Sequence, residues 1–169
     1  MEAVAITGTI GAGKTSVAEA LSEDLHGRGI RHGLIDLDWL GGLYPPLDPD
    51  DPYSLELSYR NLRLILPGFV EAGADRFVIS ATLTSIQEGE GLRGILGDVN
   101  LTICRLTASP AVIAERIRRR EHGRLLEDFL ARTDAVAEQI AAAGFDGLVV
   151  RNEGSPSDAA AEIVGALGW

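Results

Sequence analysis

The chain of 169 residues contains a single lysine, Lys14, and it closes the run Gly8-Thr9-Ile10-Gly11-Ala12-Gly13-Lys14-Thr15. That run fits G-x-x-x-x-G-K-[ST] at each fixed position. Glycines at these places let backbone amides converge on phosphate oxygens, and a helix starting at the lysine adds its positive N-terminal end. The pattern predicts a triphosphate cradle of Gly8, Thr9, Gly11, Ala12, Gly13 and Ser16. Lys14 would reach the outer phosphates and the Thr15 hydroxyl would bind Mg²⁺.

Two carboxylates follow in Leu34-Ile35-Asp36-Leu37-Asp38-Trp39. Read as the end of a strand, Asp36 and Asp38 stand at i and i+2 and project to one side. One can hold metal-bound water while the other accepts a proton from a hydroxyl. Further on, Arg116, Arg118, Arg119, Arg120 and Arg124 lie within nine residues. On a helix, Ile113 and Ile117 mark the buried stripe, Arg116 and Arg120 share one flank with Arg119 beside them, and Arg118 points away. Such arginines can stabilise the charge of a moving phosphoryl group. Trp39, Tyr44, Tyr53 and Tyr59 gather with Arg60 and Arg63 between the second and third apolar runs. Tyr59 and Arg63, an i, i+4 pair, would face the same way and enclose a ring or sugar carrying an anionic group. Ser80, Thr82 and Thr84 follow the third run and could line the same cleft. His26, His32 and His122 have no metal-ligand spacing, and the lone Cys104 reads as a small buried hydrophobe.

These residues need a scaffold. Five short apolar runs, at 3–7, 33–36, 76–81, 101–106 and 147–151, are near-continuous in Val, Ile and Leu, as strands covered on both faces should be. Helical patterns separate them, at 14–28, from Asp51-Pro52 to about Ala72, 109–122, 125–143 and 155–167. Gly27 or Gly29 stops the first, and Pro67 should kink or split the second. Alternation of this kind predicts an α/β fold of three layers with a five-stranded parallel sheet. The length fits one domain, residues 1–169, without an interdomain linker.

Acidic residues number 25 against 15 basic ones, a net charge of −10, which argues against nucleic acid or anionic lipid as partners. The N-terminus lacks a basic leader region and no 18-residue apolar stretch exists, so the chain reads as a cytoplasmic protein. A guanine-reading N-K-x-D motif is excluded, because the only lysine is already placed.

In size and in the order of its motifs the chain resembles the small P-loop kinases of metabolites: adenylylsulfate kinase, shikimate kinase, gluconate kinase and chloramphenicol phosphotransferase. The resemblance implies a P-loop NTPase fold of the nucleoside/shikimate-kinase kind, with ATP and Mg²⁺ as cofactors. It implies an acceptor-binding segment at about 39–66 and an arginine lid at about 114–126. By the same resemblance Asp38 contacts the acceptor hydroxyl with Asp36 near it, and the clustered Tyr59, Arg60 and Arg63 would complete the acceptor pocket. Thr15 and Asp36 lie at the metal, Arg116 and Arg120 clamp the transferring phosphates, and Arg119 touches the nucleotide. The loop after the fifth strand, around Asn152, would meet the base mainly through backbone atoms. The implied activity is transfer of the γ-phosphoryl group of ATP to a hydroxyl of a small molecule. A nucleoside or nucleotide kinase, or an ATP-binding regulatory switch, is the alternative. One departure stands out: Ser80 ends the third strand where many P-loop NTPases carry a Walker B aspartate.

Overall fold

The computed structural model describes residues 1–45, 54–145 and 147–169, with the side chain of Leu125 left out. Strands β1 (Glu2–Thr7), β2 (His32–Asp36), β3 (Arg76–Ser80), β4 (Asn100–Thr107) and β5 (Leu148–Arg151) form one sheet in the order β2-β3-β1-β4-β5. Every pairing is parallel, and the register sets Val4 beside Val78 and Thr102. All five predicted strands are present.

Helices α1 (Lys14–Gly27), α2 (Leu37–Leu40), α3 (Leu55–Glu71), α4 (Ile86–Leu96), α5 (Pro110–Arg120), α6 (Gly123–Ala142) and α7 (Pro156–Leu167) connect and cover the strands. The two faces of β1 explain the apolar runs. Val4 and Ile6 point to a core shared with Leu21 and Leu25 of α1 and Ile163 of α7. Ala3 and Ala5 point to the opposite core, with Leu62 of α3, Leu92 of α4 and Ile140 of α6. Both sides of the central strand are dry, so alternation is absent and the three-layer prediction holds. Cys104 is buried in the first of these cores, and burial pushes its thiol up to about 12.

Helix ends largely follow their sequence signals. The α1 exit uses Gly29 at φ +71°, with the Ile30 amide returning to the Leu25 carbonyl. Ser109 and Ser155 cap α5 and α7 ahead of prolines at the first helical turn. Pro67 does not split α3, which runs unbroken from Leu55. The expected start at Asp51-Pro52 lies outside the described residues, as does Tyr53. Helix α4 is absent from the sequence-based expectations: Gly89, Gly91 and Gly94 dilute its pattern. Its signal was Ser85-x-x-Glu88, a reciprocal capping box in the structure. Gly89 and Gly91 are small for a reason, since a Cβ there would meet Phe145 and Tyr59 at 2.9 Å. Among the described residues no helix is long and apolar enough to cross a membrane.

Candidate active site

β1 leads straight into the glycine loop, and Lys14 begins α1, as predicted. Gly11 and Gly13 have φ of +83° and +96°, which side chains rarely tolerate. At Gly13 the space is also taken: an added Cβ would lie 2.5 Å from Asn152 Nδ2. That amide nitrogen donates to the Ala12 carbonyl at 2.8 Å, and Arg116 Nη1 donates to the same oxygen at 3.3 Å. With Ala12 O drawn outward by two donors, the loop is held in place from α5 and from the β5–α7 connection. Thr9 Oγ1 adds a third tie, donating to Thr133 O of α6 at 2.8 Å. Ile10 packs with Ile113 and Ile117, so the predicted stripe of α5 seats that helix on the loop. Asn152 and Thr9 had no sequence signal for these roles, which depend on pairs 140 and 124 residues apart.

Lys14 Nζ donates to Gly8 O at 3.1 Å. Burial holds its ammonium below the usual lysine range, while Asp38 and Asp36 pull the other way. Both carboxylates therefore reach the phosphate loop, but not by the predicted route. β2 stops at Asp36, and Asp38 belongs to the single turn α2, so the two are not alternate residues of a strand. Asp36 is the N-cap of that turn, its Oδ1 accepting from the Asp38 and Trp39 amides at 3.0 and 3.3 Å. The capping bond fixes the carboxylate so that Oδ2 accepts from Thr15 Oγ1 at 2.9 Å. Ser80 Oγ lies 3.5 Å from the same hydroxyl, at the end of β3.

A turn as short as α2 needs outside support. Leu37 is buried in the core, Ser58 Oγ donates to Leu37 O at 2.7 Å, and Asn61 Nδ2 donates to Leu40 O at 2.7 Å. α3 thus adds a donor to a carbonyl at each end of the turn, and Asp38 is held against Thr82, whose Oγ1 donates to Asp38 Oδ2 at 3.1 Å. Burial raises the Asp38 pKa above the ordinary 3.8, and Asp36 raises it further. Lys14 and the Thr82 bonds oppose this in part. A carboxylate so placed is a stronger base than a solvated aspartate.

Two cavities meet at the loop. One, of about 240 Å³, runs from Lys14 and Thr15 to Asp38, Thr82, Tyr44 and Phe129. The other, of about 620 Å³, opens between α5 and the β5–α7 connection, bounded by Arg116, Arg119, Asn152 and Pro156. Gly11, Gly13, Ser16 and Arg120 border both.

The arginine cluster divides. Arg120 borders both cavities while its Nε pairs with Glu121 at 2.7 Å, and Arg119 lines the larger one. Arg116 bridges Ala12 O and, through Nη2 at 3.3 Å, Gly154 O, so in this state it braces the loop. Arg118 and Arg124 are exposed.

On the acceptor side the predicted grouping is not brought together. Tyr59 lies between α3 and α4, its hydroxyl donating to Glu88 O at 2.5 Å and its ring over Gly91. Arg60 and Arg63 are exposed on α3 and do not line the cleft. Trp39 is exposed beside Asp36 rather than in the cleft, and Thr84 is spent on Glu88 at the α4 cap. Tyr44 and Thr82 are there as expected; Ile10, Leu43 and Phe129 are additions. Phe129 sits on α6, far in sequence from every motif.

A family model described as an AAA domain matches residues 4–145. No curated protein sequence matches the chain. Among solved structures, a gluconokinase from Sinorhizobium meliloti 1021 is similar at TM-score 0.70 and 20% identity, over 99% of this chain and 91% of that one. A shikimate kinase from Bacteroides thetaiotaomicron gives TM-score 0.68 and 17% identity, over 99% of each chain. The Mycobacterium tuberculosis APS kinase CysC, in complex with AMPPNP and APS, gives 0.62 and 22%, over 99% and 98%. At these identities the likeness is one of fold, and it agrees with the three-layer parallel sheet described above.

Proposed function

From the premise that the chain belongs to the AAA domain family, we propose that it is an ATP-dependent phosphotransferase acting on a small-molecule hydroxyl. One observation carries the reading: Asp38, a half-buried carboxylate held by Thr82 Oγ1 at 3.1 Å, shares the cleft of the phosphate loop with Lys14, and desolvation raises its pKa. A general base opposite a triphosphate cradle is what phosphoryl transfer to an alcohol requires. The similar solved structures named as kinases are consistent with it.

Thr15 and Asp36 fit Mg²⁺ by chemistry and by spacing. Both offer hard oxygen donors, and their oxygens are 2.9 Å apart. Cis ligands of an octahedron with bonds of about 2.0–2.1 Å stand about 2.9 Å apart. Asp36 thereby supplies the carboxylate that β3 lacks, with Ser80 at the position where that carboxylate would be. When bound, Mg²⁺ neutralises phosphate charge.

The chain's own groups do the rest. Loop amides and Lys14 bind the phosphates and hold the terminal one in line. Asp38 orients the acceptor hydroxyl and takes its proton as the oxygen attacks, and the leaving ADP oxygen is stabilised by Lys14. Arg120, released from Glu121, would face the transferring group, and residues 114–126 would close as the lid over it. The whole chain, 1–169, acts as one kinase domain, with acceptor contacts drawn from about 39–66.

The test is acceptor-dependent ADP formation from Mg-ATP across a panel of sugars, nucleosides and other alcohols. A phosphomonoester product should be identified by mass. Lys14→Met should abolish it. Tight ATP binding with no acceptor-dependent ADP from any alcohol would favour a regulatory switch and refute the proposal.

A further inference from the structure

The carboxylate of Asp38 has to be aimed, and its own backbone cannot do this. The turn that carries it is tied to α3 through Leu37 O and Leu40 O, which fixes the main chain. An aspartate keeps two side-chain torsions beyond that, and the second is broad and roughly two-fold. A fixed backbone therefore leaves the plane of the carboxylate open, and a partner at the carboxylate itself has to settle it. Thr82 is such a partner, its Oγ1 donating to Oδ2 at 3.1 Å.

That donor is itself rigidly held. β3 ends at Ser80, level with Ile6 of β1, and one more bond follows from Ala81 N to Ile6 O at 3.1 Å. Leu83 then enters the dry core, where its backbone groups must find partners. Thr7, the last residue of β1, serves both: its buried hydroxyl accepts from Leu83 N at 3.0 Å and donates to Leu83 O at 3.4 Å. Thr82 stands between two fully buried residues, Ala81 and Leu83, and is itself only 5% exposed. Its branched Cβ restricts χ1 as well. Gly8 follows Thr7, so the strand that launches the phosphate loop also fixes the residue that holds Asp38. The hydroxyls at 80, 82 and 84 have separate partners: Ser80 lies near Thr15, Thr84 donates to Glu88, and Thr82 goes to Asp38.

We infer that Thr82 is a positioning residue for phosphoryl transfer: its bond to Oδ2 holds the carboxylate so that Oδ1 receives the proton of the acceptor hydroxyl. The inference rests on the phosphotransfer reading above. As that O–H bond breaks, its electron pair forms the new O–P bond, the bond from phosphorus to the ADP oxygen breaks, and the proton stays on Asp38 Oδ1. Without Thr82 the carboxylate turns about χ2 and meets the hydroxyl correctly for only part of the time. A misplacement of about 1 Å costs about 10²-fold in rate. The loop contacts to ATP are not involved, and the proton moves in the transition state, so the loss belongs in kcat.

The experiment compares Thr82→Val and Thr82→Ser with the wild type on the alcohol of the panel above that the wild type turns over fastest, reading ADP formation from Mg-ATP. Thr82→Val should lower kcat by about 10–100-fold and leave the KM for ATP and for the acceptor within about threefold. Thr82→Ser keeps the hydroxyl and should hold kcat within about threefold of wild type. If Thr82→Val does not fold, Thr82→Ala removes the same hydroxyl and is read in the same way. Wild-type kcat in the variant without the hydroxyl overturns the inference and leaves the kinase reading standing. So does a loss confined to the acceptor KM, or a loss of kcat that Thr82→Ser shares. Transfer to no alcohol by the wild type, with Mg-ATP still bound, overturns both.

Discussion

Asp38→Asn separates chemistry from architecture in this site. The substitution is isosteric, and the new side-chain carbonyl can still accept from Thr82 Oγ1, the 3.1 Å bond that now holds the carboxylate. What disappears is the charge and the proton-accepting ability. Loss of a positioned base costs about 10²–10⁴ in rate, or about 3–5 kcal/mol of transition-state stabilisation. The ATP KM should change little, because Asp38 sits at the acceptor end and the loop contacts are untouched.

Stability should move the other way. The folded pKa of Asp38 is raised, chiefly by burial, above its ordinary 3.8. A group of that kind contributes stability that is fully present below the unfolded pKa and lost as pH rises through the folded one. At neutral pH the ionised carboxylate is therefore a net cost, about 1.4 kcal/mol for each pKa unit of elevation. Asparagine removes that cost but also removes the attraction that offsets the desolvation of Lys14. The expected result is a melting temperature equal to or above wild type, with the largest difference at neutral and higher pH. In the wild type the acid limb of kcat/KM should lie above pH 3.8, where Asp38 takes up its proton. Acceptor-coupled kinetics, a pH profile and a thermal melt check all three. Transfer within about tenfold of wild type, or a melt lowered by many degrees, would refute the reasoning.

Thr15→Val removes one of the two oxygens that fit the metal and leaves Asp36 Oδ2 without its 2.9 Å donor; the Mg²⁺ concentration for half-maximal activity should rise at least about tenfold, and Thr15→Ser should restore it. Tyr59→Phe deletes the hydroxyl that donates to Glu88 O, so it should cost about 1 kcal/mol in denaturant unfolding while leaving the acceptor KM unchanged. Asn152→Ala takes away the 2.8 Å bond to Ala12 O and leaves Arg116 alone on that carbonyl. Stability should fall by about 1–3 kcal/mol and the ATP KM should rise more than kcat falls, read from melts and steady-state kinetics.

How far the sequence reached depended on whether a feature is local. The phosphate loop is local: its glycines, lysine and threonine do their work within eight residues, and each sits where the pattern says. The strands were legible because both faces of each central one are covered, which leaves an unbroken apolar run. α4 failed for the opposite reason. Gly89 and Gly91 admit Phe145 and Tyr59, which are distant partners, so this packing demand diluted the helical pattern and left the Ser85–Glu88 cap as its signal. The acidic pair failed more narrowly. Its spacing suggested a strand, whereas Asp36 ends the strand by capping the next turn, and one side chain both stops β2 and faces Thr15.

The arginines show where local reasoning ends. Helical periodicity correctly set Arg118 apart from Arg116, Arg119 and Arg120, because that follows from 3.6 residues per turn alone. Placing Tyr59 and Arg63 on one flank of a helix follows from the same arithmetic, but which neighbour that flank meets is decided elsewhere. α3 is rotated by its obligations to α2: Ser58 and Asn61 must reach Leu37 O and Leu40 O, and Leu62 must enter the core. Once those three face inward, Arg60 and Arg63 are turned outward. The helix that supports the Asp38 turn thus does not bring these two arginines to the cleft. The cleft is left with Lys14, Asp38 and Arg120 as its charged groups and with Tyr44 and Phe129 among its walls, because that rotation turns the α3 arginines away from it.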